Sequence, residues 1–296
     1  MKKSLLVLGV AMFVSTASLQ AANIVWVSFH SGDNTPSANA AAAGFTQAPD
    51  IGYTALLKAN GHNVTRVLSS GTPDVAALNK ADLVIISRSV PSGDYSADAS
   101  TAAWASIKAP MMILGGYVLR NSRLGFTTGA TIPDTAGSVS LKVNSPSNPI
   151  FAGITLGASN VMANSFANIV SYTNAVQRGI SVNTDPIAPG GTVLATIGTA
   201  GDPAFGGMVI GEWQAGASMT TSPVDVLGGR RLVFLTGSRE GTTPALTSEA
   251  AGLYDLTPDG AKMFLNAVKY MAVPEPSTWA LMGLAFSSLC LRRRKK

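Results

Sequence analysis

Thiols and imidazoles are almost missing from this chain: its 296 residues include one cysteine, Cys290, and two histidines, His30 and His62. The shortage excludes several chemistries at once. Cys290 lies beside the C-terminal basic cluster, so residues 23 to 272 hold no disulfide and no cysteine nucleophile. Two histidines without a cysteine partner do not close a tetrahedral zinc site, and no metal is expected. An oxygen-only calcium site stays open in principle, but the loop SGDNTPSAN, with Asp33 and Asn34, lacks the repeated acidic spacing of an EF-hand. A serine triad needs a histidine base, and there is no G-x-S-x-G turn to hold its serine. Gly206-Gly207 and Gly228-Gly229 stand outside any dinucleotide or P-loop context and read as turn or close-packing glycines, so no cofactor is expected. Charge is also scarce, at 12% of residues, and no internal repeat is visible.

What the sequence does contain is marked most strongly at its ends. Lys2 and Lys3 precede an apolar stretch from Leu5 to Leu19, and Ala21 and Ala22 follow. This order of charge, apolar core and small residues is that of a secretory signal peptide cleaved near Ala21 or Ala22, which places residues 1–22 apart from the body. At the other end, residues 273–296 read VPEPSTWALMGLAFSSLCLRRRKK. A turn-forming motif, Val273, Pro274, Glu275 and Pro276, leads into an apolar run of 15 residues, Ser277 to Leu291. The basic cluster Arg292, Arg293, Arg294, Lys295 and Lys296 closes it. A bilayer span needs about 20 residues, so the run is a marginal span, and its flanks are those of a sorting signal. The positive-inside rule sets the cluster in the cytoplasm and the body in the periplasm. The two ends hold seven of the 21 Lys and Arg and one of the 16 Asp and Glu, leaving 14 basic and 15 acidic groups in residues 23–272. The pI of about 9.4 therefore belongs to the ends, and nucleic-acid binding is not expected.

The C-terminal stretch closely resembles the PEP-CTERM signal of Gram-negative bacteria. Pro274, Glu275 and Pro276 match its motif, Trp279 to Leu291 its apolar span, and Arg292 to Lys296 its cytoplasmic anchor. The resemblance implies recognition and processing by an exosortase, after entry through the Sec translocation machinery and a transient stay in the inner membrane. It also implies a final place at the cell surface or outside the cell, with exopolysaccharide and biofilm growth as the associated setting.

Between the ends, strand and helix signals alternate. NIVWVSF from Asn23 is a continuous apolar run suited to a strand buried on both faces. A polar, alanine-rich loop is expected over residues 30–43. Ile51, Ala55, Leu56 and Ala59 recur at helical spacing until Asn60-Gly61 stops them. Strands follow at residues 62–68, 81–87 and 110–116, with helical segments at 73–80 and 99–107. Short connections between such elements predict an α/β fold with a mainly parallel sheet flanked by helices. Residues 120–205 are rich in Asn, Ser, Thr, Gly and Pro, with β-like pieces near 139–143, 168–172 and 193–197. They read as an irregular β-rich extension of one body spanning 23–272. Strands at 205–213 and 230–237 resume the pattern, and LTPDGAKMFLNAVKYMA is a helix with Thr257 as N-cap and Pro258 in its first position. Both terminal segments are expected to form apolar helices.

The phrases GHNVTRV, ADLVIISRSV and LTPDGAKMFLNAVKYMA, in that order, make the body similar to flavodoxin-like domains of the class I glutamine amidotransferase and ThuA-like group. The resemblance implies a flavodoxin-like fold. That group's amidotransferases carry a cysteine on a tight strand-to-helix turn and a later histidine. Here the best-placed turn is LGGYV, with Gly115 and Gly116, and no histidine follows His62, so glutaminase chemistry is not expected. Ligands of open parallel sheets meet the carboxyl ends of the strands, where the sequence offers His30, Ser87, Arg88, Tyr117, Glu212, Arg239 and Glu240. The expected body is non-catalytic. Two alternatives are a carbohydrate-active hydrolase using two carboxylates among Asp33, Glu212 and Glu240, and a sugar-binding module with exposed Trp26, Trp104 and Trp213. Both strand tryptophans, Trp26 and Trp213, read more naturally as core.

Overall fold

A computed structural model describes residues 21–135, 139–166, 171–172, 175–176, 179–237 and 248–272. Its strands are β1 (Asn23–Ser28), β2 (Asn63–Leu68), β3 (Leu83–Ile86), β4 (Met111–Ile113), β5 (Val139–Val143), β6 (Val161–Phe166), β7 (Ser171–Tyr172), β8 (Ala175–Val176), β9 (Thr192–Ile197), β10 (Met208–Trp213) and β11 (Arg231–Phe234). Its α-helices are α1 (Ala38–Ala42), α2 (Ile51–Ala59), α3 (Val75–Leu78), α4 (Asp98–Ser106) and α5 (Pro258–Ala272). Nine strands form one sheet in the order β2-β1-β3-β4-β11-β10-β9-β5-β6, and β7 and β8 form a separate pair.

The sheet is mixed where a mainly parallel one was expected. Pairings from β2 to β11 are parallel, and those from β11 to β6 are antiparallel. The physical reason lies in the connections. A parallel neighbour needs a crossover, usually a helix, whereas a reversed neighbour needs only a loop. Among the described residues no α-helix stands between α4 and α5, so the strands of that stretch add to the sheet mostly by reversal. Three local expectations also shift. The polar loop after β1 contains the short helix α1, capped by Ser37, whose side chain accepts from Ala40 N. The β-like piece near 168–172 is represented by β6 ahead of it and by the two residues of β7. His62 precedes β2, and its Nδ1 accepts the Ala22 N–H at 3.3 Å.

Side chains alternate along a strand, and β11 shows how that builds two layers. Phe234 meets Phe264 of α5, ring centroids 5.6 Å apart, and Phe264 meets Tyr53 of α2 at the same separation. Three residues earlier, on the other face, Arg231 reaches the end of α4. The four residues of β3, LVII, are all buried between these layers, as a doubly covered strand requires. In α5, Met263, Phe264, Ala267, Val268 and Met271 form the buried stripe, and Thr257 Oγ1 accepts from Gly260 N at 3.1 Å as its cap. Among the described residues no helix is long and apolar enough to cross a membrane. The two expected terminal helices fall on residues 1–22 and 273–296, of which 1–20 and 273–296 lie outside the described residues.

Candidate functional site

The chain leaves β1 for β2 on one side and returns to β3 on the other, so the crevice between the carboxyl ends of β1 and β3 is where such a sheet meets ligands. Here the protein's own groups fill it. Beyond the paired strands, Phe29 N donates to Ser89 O at 2.9 Å. His30 Nε2 lies 3.0 Å from Ser89 Oγ, while His30 Nδ1 accepts the Ser37 N–H at 3.0 Å. An acceptor at Nδ1 assigns the imidazole proton to Nε2, which therefore donates to Ser89; Ser89 Oγ in turn donates to the Glu249 carbonyl at 3.2 Å. A serine base would need the opposite tautomer, with Nε2 free to accept. Both side chains are fully buried, and burial holds the His30 pKa below its ordinary value. The pair has the spacing of a Ser-His dyad and the wiring of a structural clasp.

Beneath the clasp lies a carboxylate that sequence reasoning passed over. Asp50 Oδ2 accepts from Trp26 Nε1 at 2.8 Å, Ser28 Oγ at 2.9 Å and Ser87 Oγ at 2.7 Å. Its Oδ1 pairs with Arg66 Nη1 at 2.8 Å. In sequence Asp50 stands where an N-cap of α2 would stand, yet its side chain caps nothing and turns to tie β1, β2 and β3 together. Arg66 also holds Asp33, Nε to Oδ1 at 2.6 Å, and Lys58 reaches the other Asp33 oxygen at 2.5 Å. Burial alone would raise the Asp33 pKa, but the bonds from Lys58, Arg66 and Thr54 prevail and hold it at about 2. A second buried carboxyl, Asp255, accepts on one oxygen from Tyr53 Oη, Thr236 Oγ1 and Gly237 N, and burial raises its pKa.

The residues proposed from sequence separate into three groups. His30, Ser87, Arg88 and Tyr117 do gather at the carboxyl ends of β1, β3 and β4. Ser87 serves Asp50 and His30 serves Ser89, while the buried Arg88 guanidinium lies 5.4 Å from the centre of the Tyr117 ring. Glu212 does not join them. It sits opposite Leu232 in antiparallel β10, so its strand ends at the amino-terminal side of β11. There it accepts from Tyr270 Oη at 3.0 Å and pairs with Arg230 at 3.2 Å. Arg239 and Glu240 lie outside the described residues. Asp33 and Glu212 thus belong to separate ion-pair groups, each already neutralised, and form no acid-base pair. Trp26, Trp104 and Trp213 are all buried, which removes them as a sugar-stacking face. Among the described residues no group of three or more His, Cys, Asp or Glu is placed to hold a metal.

The two glycines of the turn that would carry an amidotransferase nucleophile differ in the space around them. A Cβ on Gly116 would lie 2.2 Å from the Ser181 carbonyl oxygen, whereas one on Gly115 would meet nothing closer than 3.6 Å. Position 116 thus admits glycine alone without a backbone shift. Arg231 is another residue that sequence reasoning missed. Its buried guanidinium donates to the carbonyls of Trp104, Ala105, Ile107, Ala109 and Arg230 at 2.6 to 3.4 Å, satisfying the orphan carbonyls at the end of α4. Burial lowers its pKa to about 10.

Residues 272–295 match the family model of the PEP-CTERM protein-sorting motif. This segment marks the chain for exosortase recognition and export. No curated protein matches the chain. Among solved structures, it is similar to a cytoplasmic protein from Salmonella typhimurium at 12% identity, covering 84% of this chain and 99% of that one, with a TM-score of 0.46. A protein from Bacteroides uniformis described as ThuA-like aligns at 11% identity over 84% and 90% of the two chains, TM-score 0.46. Another so described, from Parabacteroides merdae, aligns at 9% identity over 86% and 91%, TM-score 0.43.

Proposed function

We propose that the chain is a non-catalytic surface protein: residues 1–22 direct export, residues 273–296 direct exosortase processing, and a ThuA-like body of residues 23–272 is delivered to the cell surface or the extracellular matrix, where it associates with exopolysaccharide. The observation that carries this reading is the sorting motif at residues 272–295. The state of the strand-end crevice supports the non-catalytic part. His30 donates where a base would accept, and the turn after β4 carries two glycines, of which Gly116 has no room for a side chain. Before processing, the body stands in the periplasm, held to the inner membrane by the C-terminal segment.

Mass spectrometry of the protein released from producing cells tests the route. The expected product ends near Pro276 and lacks the basic cluster, and Glu275→Ala accumulates the uncut, membrane-bound form. A surface protein that retains residues 273–296 intact would overturn the processing step. Turnover of a glycan or amide that is lost in His30→Gln would overturn the non-catalytic reading.

A further inference from the structure

A second polar group stands on the same rim, beside the closed crevice. Tyr117 belongs to a single 3-10 turn, Gly116–Leu119, that follows β4, and Arg120 and Arg123 come just after it. Arg120 Nε donates to Tyr117 O at 2.9 Å and Nη2 to Ser92 Oγ at 3.1 Å, and its guanidinium lies 5.3 Å from the Tyr117 ring centre. These contacts hold the fork in one orientation. Arg123 Nη1 donates to the Ser122 carbonyl and hydroxyl at 2.7 and 3.3 Å, and its Nε is buried with no hydrogen-bond partner.

The environment of these two cations differs from that of Arg66 and Arg230. Arg66 is neutralised by Asp33 and Asp50, and Arg230 by Glu212. Among the described residues no carboxylate lies within ion-pair distance of Arg120 or Arg123. Burial, followed by the charge of Arg123, lowers the Arg120 pKa. Arg123 N donates to Arg120 O at 2.9 Å, so two half-buried positive charges stand on one turn with no carboxylate of the described residues paired to either, in a body of 14 basic and 15 acidic groups. General basicity does not account for them. A planar guanidinium fork matches a carboxylate in a bidentate manner, and the Ser92 and Ser122 hydroxyls beside the forks suit the hydroxyls of a sugar.

We propose that Arg120 and Arg123 form a subsite for the carboxylate of an acidic sugar unit in a polysaccharide, with Tyr117 and Ser92 positioning Arg120. This deepens the exopolysaccharide part of the reading above and rests on it. The test uses the full chain with Arg292 to Lys296 changed to glutamine in every variant, so that the terminal cluster does not contribute. Binding is measured to polygalacturonate, to neutral dextran, to phosphatidylglycerol vesicles and to matrix polysaccharide shed by the producing cells.

The expected result is salt-sensitive binding to polygalacturonate and none to dextran. Arg120→Gln with Arg123→Gln should weaken it by about tenfold or more, as loss of charge-assisted hydrogen bonds implies. Lys108→Gln with Lys269→Gln, which removes the same charge from exposed sites, should leave binding near its starting value. Equal losses in the two double variants, equal binding to dextran, or preference for the vesicles would overturn the subsite. Binding to the shed matrix that survives the arginine changes would overturn the subsite while leaving the matrix association standing. A chain that binds neither polygalacturonate nor the shed matrix would overturn both.

Discussion

A histidine that accepts a backbone N–H through Nδ1 cannot be protonated there without losing that bond, and His30 is such a histidine. Burial, aided by the charge of Arg66, outweighs Asp50 and Glu249 and lowers its pKa. The unfolded chain therefore binds the proton more readily than the folded one, so stability falls as pH drops from the unfolded value of about 6.5 toward the lower folded value. Urea midpoints measured from pH 7 to pH 5 should fall further in the parent protein than in His30→Gln. His62, also lowered by burial, contributes equally to both chains, as does the opposite effect of Asp255, while Asp33, at about 2, stays ionised throughout. Asp50 makes a different demand. Asp50→Ala leaves Trp26, Ser28 and Ser87 without their acceptor and Arg66 with one partner fewer. Breaking a buried ion pair from one side costs about 3–5 kcal/mol, and equilibrium unfolding should show a loss of that size.

At the scale of elements, the turn after β4 separates space from chemistry. Gly115 has an extended backbone, φ −106° and ψ 125°, that any residue adopts. Gly115→Ala should leave the thermal midpoint almost unchanged. Gly116→Ala drives a Cβ against the Ser181 carbonyl and should cost about 1–3 kcal/mol, the usual penalty of overpacking. Equal effects of the two changes, read by calorimetry, would contradict this geometry. The glycine pair was visible in sequence, but which glycine is obligatory was not, because Ser181 approaches from a distant segment. By contrast α5 was legible nearly to the residue, since Thr257, Pro258 and the apolar stripe all act within the helix itself.

For the molecule as a whole, charge distribution gives the plainest measurement. The full chain has a pI of about 9.4, while residues 23–272 carry 14 basic and 15 acidic groups. Isoelectric focusing of the exported form should therefore place it near neutrality or below, far from the precursor; an exported form that still focuses near the precursor would mean that the ends are retained.

Sequence alone determined the sorting segment, the neutral body, the buried strands and the capped helix, since each is written in neighbouring residues through composition, periodicity and caps. Tertiary structure alone decided which charged groups meet. The direction of β10 takes Glu212 away from the strand ends. The clasp joins His30 to Ser89 across 59 positions, and Tyr53 reaches Asp255 across 202. Local patterns set which face of an element is buried. Strand direction and the convergence of polar side chains follow from free energies gained only when the whole sheet assembles, and those carry no local mark.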